Sequence, residues 1–473
     1  MGALGRISDI LGRLPAIRRL AVRGRRGALV GTFAVTVTAM LGMVGLGTEV
    51  GGWYIGKRHG QNVADGAALA GAMMLASSSS SSVAKTAATT EATNNGFTTG
   101  GNITVTANNP PASGPNSGSS SAVEVIVSQV QTPVFAGLFI PAMTINNRAV
   151  ALVQSSGSAC VLALDGIAVK GLTEDLSSGG NATVNAPGCA LASNATGPSS
   201  VTLFGSTSVT AGTMTAVGAC SGCAAPRATL TTAATSFALP TTNPFTAIDA
   251  LTMPTFSGAT CASSPVPWET LVAGQHQAFC NGTLKLTNGN TLNLTPGTYF
   301  LYNTSISLQG GTLECSTSAT SYVACTGGAG VTIILTGPSG GGITVNGGAL
   351  VNLTAPTAAY ALAHSFYACT GATPPSSNCP FAGVLFYQDP NVPASNTIKF
   401  NGNASATTVG AMYFPGQDVT YSGNGLDNSH CSELIADGIA FTGNTTSTFD
   451  VSGCATSGFV NIVPQVQRAV LVE

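Results

Sequence analysis

One uncharged apolar stretch, residues 27–48, constrains the fold of this chain more than any other feature of its sequence. As an α-helix, its 22 residues would be about 33 Å long, close to the hydrocarbon thickness of one bilayer. A cleaved secretory signal peptide is the alternative, but its apolar core is usually only roughly 7 to 15 residues long. The basic arm before the stretch, residues 1–26, is also long for a signal peptide. We therefore predict a retained transmembrane helix over 27–48.

The distribution of charge predicts the orientation of this helix. Basic residues next to a membrane span favour the cytoplasmic side, so the arm is predicted to be cytoplasmic and the rest of the chain periplasmic or extracellular, outside a bacterial inner membrane. After residue 26 the chain has nine basic and 17 acidic residues, which argues against a nucleic-acid partner. Seven of the 16 basic residues lie in the arm: Arg6, Arg13, Arg18, Arg19, Arg23, Arg25 and Arg26.

The cysteines support an oxidising compartment. All 12 follow residue 159, and an even number on the far side of a membrane predicts disulfides. A zinc site is the alternative, with Cys220 and Cys223 as one half, but no second CxxC and no HxxxH pattern follows. We therefore predict neither a metal nor a cofactor. Proximity in the chain predicts four pairs: Cys261 with Cys280, Cys315 with Cys325, Cys369 with Cys379, and Cys431 with Cys454.

A motif follows the apolar stretch. It consists of an acidic residue, an aromatic residue, a basic residue and then Gln-x-x-Ala-Asp-x-Ala-Ala-x-Ala. The residues that carry it are Glu49, Tyr54, Arg58, Gln61, Ala64, Asp65, Ala67, Ala68 and Ala70. Together with Arg26 and Gly27 before the span, the motif resembles the N-terminal module of the TadE/TadG-like proteins of bacterial tight-adherence (Tad, or Flp) pilus assembly. The resemblance implies other pilus-assembly proteins as partners, bound through the N-terminal helix.

The chain departs from the family pattern at four positions. Glu49 stands where Asp is usual, Gly60 replaces an apolar residue, and Val63 and Gly66 interrupt the Ala-Ala-Asp-Ala-Ala run. Glu49 has two interpretations: it faces water at the outer interface, or it pairs with a cation on a neighbouring helix.

The small residues after the span also have two interpretations. Ala64 and Ala68 share helical spacing and would allow another helix to approach closely, or they pack on the chain's own domain. We predict that the helix runs from Gly27 to about Leu75.

Residues 49–155 are predicted to combine this helix extension with a pilin-like α+β module. VAKTAATTEATNNG is typical of a short helix, and NITVTA, VEVIVSQVQ and MTINNRAVALVQ are typical of strands. Val123, Val125 and Val127 alternate with period two, which indicates a half-buried strand. One helix on a small antiparallel sheet is therefore expected.

Residues 156–460 are predicted to form a large β domain, followed by a C-terminal tail over 461–473. Short alternating apolar runs are separated by Gly-Asn pairs, and both residue types tolerate the left-handed conformation of tight corners. Irregularly recurring strand and corner units favour a parallel β-helix. A β-sandwich remains the alternative.

Candidate catalytic residues in the β domain are sparse. Hydrolysis of a glycosidic bond normally needs two neighbouring carboxylates, and a lyase would need a basic residue near bound calcium. The acids form two sequence groups, and the basic residues are dispersed. We therefore predict a non-catalytic membrane protein of pilus assembly, with an adhesin that binds a surface polymer as the alternative and a carbohydrate-active enzyme as the less favoured one. The residues concerned are Asp165, Glu174 and Asp175; Asp427, His430, Glu433 and Asp437; and Lys170, Arg227, Lys285 and Lys399.

Overall fold

The computed structural model divides the chain into two compact units. The first combines the described residues of Met1–Met74 with Ser80–Leu152 and Val470–Glu473, and the second comprises Leu75–Ser79 and Val153–Ala469. The predicted basic arm lies outside the described residues except for its last two positions. The structure describes residues 25–77, 80–138, 140–164, 175–262, 278–369, 379–393, 398–401, 405–423, 426–428, 431–451, 454, 459 and 464–473.

A single long helix, α1 (Arg25–Ala76), includes the predicted span and its predicted extension without a break. By length and composition it could cross a membrane over Val30–Ala76. Its first half exposes large apolar side chains such as Phe33 and Val35. Its second half instead buries small residues against the rest of the unit. The helix therefore changes from an apolar rod to a packed element along its length.

The remainder of the first unit is a helix and an antiparallel sheet. Helix α2 (Ser81–Asn94) begins at the N-cap Ser80, whose side chain accepts a hydrogen bond from the Val83 N–H, and it buries one alanine face. Strand β2 lies between β1 and β3, and both pairings are antiparallel. Val123, Val125 and Val127 are buried, as their alternation predicted. The strands are β1 (Ile103–Asn108), β2 (Ala122–Gln131) and the first part of β3 (Met143–Ala163).

The second unit is mainly β. It has two short helices, α3 (Thr246–Asp249) and α4 (Ala358–Ala363). Its strands after β3 are β4 (Leu176–Ser178), β5 (Thr183–Ser193), β6 (Val201–Leu203), β7 (Ser208–Ala216), β8 (Cys220–Ser221), β9 (Ala228–Leu230), β10 (Thr235–Ser236), β11 (Cys261–Ala262), β12 (Ala278–Cys280), β13 (Thr283–Thr287), β14 (Thr291–Leu294), β15 (Gly297–Tyr302), β16 (Ser305–Gln309), β17 (Thr312–Cys315), β18 (Val331–Thr336), β19 (Ile343–Asn346), β20 (Leu350–Thr354), β21 (Val384–Gln388), β22 (Ile398–Phe400), β23 (Ser405–Phe414), β24 (Val419–Tyr421), β25 (Leu426–Asn428), β26 (Ser432–Ala436), β27 (Ile439–Phe441), β28 (Thr446–Thr448) and β29 (Gln465–Leu471).

Apart from β29, these strands form parallel ladders. One ladder runs β13, β16, β19, β22, β24, β27, β4, β6 and β8. A second joins β14, β17, β20, β23, β25, β28, β5, β7 and β9. A third joins β11, β12, β15, β18, β21, β23, β26, β3, β5, β7 and β10. The long strands β5, β7 and β23 contribute to two ladders.

The stacking order differs from the chain order. Strands from the C-terminal part of the sequence pair with strands from the beginning of the β domain: β26 pairs with β3, β27 with β4, and β28 with β5. The side chains of consecutive strands stack in register, as in the aromatic row Phe400, Tyr421 and Phe441, whose ring centroids are 4.8 and 5.4 Å apart. Such rows form a continuous buried core, with Tyr387 and Tyr413 among its largest members.

The 12 cysteines stand at disulfide distance in six pairs. The four pairs expected from proximity are among them, at Cα–Cα distances of 5.4, 5.8, 3.8 and 4.9 Å in chain order. Cys220 and Cys223 bond to each other, so they do not form half of a zinc site. Cys160 and Cys189 join β3 to β5.

Candidate functional site

Gln61 links the second half of α1 to the sheet. Its side-chain Nε2 donates to the backbone oxygen of Arg148 at 2.9 Å and to Oδ1 of Asp65 at 2.7 Å. Gln61 and Asp65 are four residues apart and therefore lie on the same helix face. The two polar residues of the motif thus act together, because Asp65 orients the amide that holds α1 on β3.

Gly60, one of the departures from the family pattern, lies against Asn147 of β3. A Cβ atom at position 60 would collide with the side-chain amide of Asn147, which is itself buried. The glycine therefore provides the space that the asparagine fills.

The alanine face of the motif is buried inside the first unit. Ala64, Ala67 and Ala68 have no exposed surface. One turn further, a Cβ atom at Gly71 would lie 2.8 Å from Cγ1 of Val123 and 3.1 Å from the backbone oxygen of Ala84. Of the two interpretations given above, the structure supports packing on the chain's own domain. A partner helix cannot reach Ala64 and Ala68 in this arrangement.

Glu49 has neither of the two environments considered for it. Its carboxylate accepts hydrogen bonds from the backbone N–H of Val134 and, at 2.8 Å, from that of Ala136. These amides lie at the start of a 3-10 helix, Ala136–Leu138, where backbone N–H groups lack partners in their own helix. Sequence reasoning did not identify this contact, because the partners lie 85 and 87 residues away.

Tyr54 and Arg58 remain on the surface and contact each other. The Arg58 guanidinium carbon lies 5.1 Å from the centre of the Tyr54 ring, within the range of a cation–π interaction. They are one helical turn apart, so this contact needs no other element.

A charged cluster that the sequence did not identify lies next to Gln61. Arg148 pairs with the buried Glu124 at 2.7 Å and also with Glu473. Burial by itself would raise the pKa of Glu124, but hydrogen bonds from Asn108, the Ala112 N–H and Arg148, with the charge of Arg148, hold this pKa below its usual value. In the sequence, Glu124 is marked only as a single acidic residue among the apolar residues that begin β2.

The exposed side of the second half of α1 forms a groove with α2, which we call the α1–α2 groove. Its volume is about 530 Å³. Met73 and Val83 are 43% and 46% exposed, so the lining of the groove includes accessible apolar surface. Ala70 is the motif residue that reaches it. The groove is lined by Ala70, Met73, Met74, Ser82, Val83, Thr86, Ala87, Thr90 and Glu91.

In the second unit, three acids precede adjacent strands of one ladder, and one of them, Asp175, is distant in the sequence from the other two. Asp418, Asp437 and Asp175 come just before β24, β27 and β4, whose first residues pair in register. Burial, and then the negative charges of Asp437 and Asp175, raise the pKa of Asp418 to about 6. The described residues contain no group of three or more His, Cys, Asp or Glu side chains suited to a metal ion.

Glu433 is the one other candidate acid whose side chain the structure describes. Glu433 is fully buried, and among the described residues no group donates a hydrogen bond to its carboxylate, whose pKa is raised by burial. Asp427 lies in β25, but its side chain is outside the described part of the chain. Asp165, Lys170, Glu174 and His430 also lie outside the described residues.

Comparison with known proteins gives one match. A family model described as "Putative Flp pilus-assembly TadE/G-like" matches residues 27–74, which lie within α1. The resemblance drawn from the motif is thereby confirmed for this segment. No curated protein and no solved structure matches the chain significantly.

Proposed function

We propose that this chain is a non-catalytic, membrane-anchored component of Tad (Flp) pilus assembly or a pilus-associated surface protein. The observation that carries the proposal is the match of the TadE/G-like family model to residues 27–74. The matched segment includes both the apolar half of α1 and Ala70, Met73 and Met74 of the α1–α2 groove. The proposed mechanism is that a helix of another pilus-assembly protein docks in this groove.

The proposed topology is a single crossing, with the basic arm in the cytoplasm, the first half of α1 in the inner membrane and the rest of the chain outside it. The exposed apolar side chains along the first half of α1 support a lipid environment. The six cysteine pairs support an oxidising compartment for the second unit. The arginines before the span support the direction of crossing.

For the second unit we propose a parallel β-helix that serves as a rigid platform. The support is that every registered strand pair in its ladders, among the described residues, is parallel. A β-sandwich would instead be built mainly from antiparallel hairpins.

An adhesin is the second candidate, and one surface row favours it. In the first ladder, a row of polar residues lies in register at strand positions that alternate with the buried ones, and therefore on the face opposite the core. Such a row, with two cations, suits a polyhydroxylated or anionic polymer. The row consists of Lys285, Ser307, Thr344, Lys399 and Thr420. A carbohydrate-active enzyme is the less favoured candidate.

Deletion of the gene in the source bacterium tests the proposal. We expect surface pili to disappear while cellular pilin persists, and the intact gene to restore them. A Met73→Glu variant should fail to restore pili, whereas Ser117→Glu, on an exposed loop, should succeed. Normal piliation of the deletion strain would refute the assembly role. In that case, loss of polymer binding in a Lys285→Ser, Lys399→Ser double variant would support the adhesin.

A further inference from the structure

The loop between β2 and β3 packs against α1 inside the apolar stretch of that helix. We call residues 132–138 with Ile140 the apolar loop. The ring of Phe135 covers Gly45, such that a Cβ atom at Gly45 would lie 2.8 Å from the ring. Gly45 is buried, in contrast to its exposed neighbours along this part of α1. Glu49, one turn further, holds the loop through the N–H groups of Val134 and Ala136.

The apolar loop exposes large side chains although it is docked. Val134, Phe135 and Ile140 are 80%, 58% and 38% exposed. The sequence has no charged residue between Glu124 and Arg148, so no charged side chain in this segment opposes transfer of the loop to an apolar medium. Leaving such surface in water is unfavourable, and a cluster of it marks a contact site.

The surface of α1 beside the apolar loop indicates what kind of environment covers the loop. Val44 and Leu46, on either side of Gly45, are 64% and 50% exposed and belong to the predicted membrane span. The loop surface therefore continues the lipid-facing surface of the helix. Trp53 and Tyr54 follow about two helical turns after Leu46, at the level where interfacial aromatic residues are expected.

We propose that the apolar loop is a second membrane contact, which inserts Val134 and Phe135 into the outer boundary of the bilayer that α1 crosses. This inference rests on the proposed membrane anchorage of α1. The partner is the lipid surface itself, at the level where headgroups meet acyl chains. Glu49 is a positioning residue, because it holds the loop in place. Its carboxylate accepts hydrogen bonds from two backbone N–H groups of the loop, which would be costly to place in lipid without partners.

Spin-label depth measurements test the proposal on the full chain in vesicles of phosphatidylethanolamine and phosphatidylglycerol. Because none of the cysteines in the described chain is free, a single engineered cysteine can be labelled under non-reducing conditions. Three labelled proteins are compared: Val134→Cys in the loop, Val35→Cys in the span as a lipid reference, and Ser117→Cys in an exposed loop as an aqueous reference. The readout is the ratio of collisions with oxygen to collisions with a water-soluble nickel chelate.

We expect the ratio at position 134 to be shifted toward that at 35 and away from that at 117. A position-134 ratio equal to that at 117, with 35 in lipid, would overturn the loop contact and leave the anchorage intact. An aqueous ratio at 35 would overturn the anchorage and the loop contact together. In the background of Glu49→Ala, the label at 134 should move toward the aqueous value, and Glu49→Gln, which keeps an acceptor, should retain part of the shift. If Glu49→Ala leaves the position-134 ratio unchanged, Glu49 does not position the loop.

Discussion

Gly60 of α1 and Asn147 of β3 are complementary in size: the side-chain amide of Asn147 lies where the side chain of any other residue at position 60 would begin. Asn147 is 2% exposed, so it has little space to move. The departure of this chain from the family pattern at Gly60 is therefore linked to a particular side chain of the sheet. The adjacent Gln61 then bonds to the backbone of Arg148.

Replacing Gly60 by Leu should destabilise the docking of α1 on the sheet by about 1 to 3 kcal/mol, the usual cost of overpacking. Gly66→Leu is the matched control, because nothing lies within 4 Å of a Cβ atom there. Hydrogen exchange of the β3 amides in the full-length protein measures the effect. Faster exchange is expected for Gly60→Leu only, and equal exchange in the two variants would contradict the predicted packing.

Glu124→Gln should weaken the first unit by about 3 kcal/mol, because it leaves Arg148 facing a neutral, buried partner. Glu473→Gln, at the more exposed side of the same arginine, should cost less. The pKa of Glu124 is lowered in the folded state, so its stabilisation is present above the unfolded pKa and is lost as the pH falls through the folded value. Thermal melts of both variants and the parent at acid and neutral pH measure this. A larger loss of stability for Glu473→Gln than for Glu124→Gln would mean that Glu473, rather than Glu124, is the more important partner of Arg148.

Asp418→Asn should make the second unit less sensitive to pH. The pKa of Asp418 is raised from 3.8 to about 6 by burial and by the carboxylates of Asp437 and Asp175. A raised pKa means that the folded state holds the proton more tightly, so stability is highest below the unfolded value and declines as the pH rises to about 6. The decline should be about 1 kcal/mol, since the Asp418 carboxyl is partly exposed and screened by solvent. Melting temperatures between acid and neutral pH should fall in the parent and stay flatter in the variant. The same slope in both would refute the contribution of Asp418.

Peptide mapping without reduction should recover six disulfides. Besides the four pairs expected from proximity, Cys160 should pair with Cys189, and Cys220 with Cys223. The loop closed by Cys315 and Cys325 spans 10 residues, so this bridge should contribute roughly 2 to 3 kcal/mol. A Cys315→Ser, Cys325→Ser double variant should therefore unfold at a lower temperature. Free thiols at these positions in the parent would contradict the pairing.

The structure could be predicted from the sequence where it depends on residues that are close together in the chain. The extent of α1 follows from its apolar stretch and alanine-rich continuation, and the burial of Val123, Val125 and Val127 follows from their alternation. The short sequence separations between neighbouring cysteines also predicted four of the six cysteine pairs. Each of these predictions depends on residues that are close in the chain.

Contacts between distant segments could not be predicted in the same way. Glu49 meets Val134 and Ala136 only after two strands have folded, and no pattern near Glu49 identifies them. Asp437 and Asp175 were assigned to separate sequence groups, yet β27 pairs with β4 and brings them to one edge. The repeats in the β domain are too irregular to reveal that its late strands stack on its early ones.

Photocrosslinking from the α1–α2 groove in living cells tests whether a pilus-assembly protein docks there. A benzophenone amino acid replaces Met73 in the full-length protein, and a second protein carries it at Ser117 as the exposed control. We expect an adduct from position 73 that contains a Tad (Flp) pilus-assembly protein and that is absent from position 117. If pili form while position 73 gives no such adduct, or if both positions give the same adduct, the groove is not the docking site for a pilus-assembly protein.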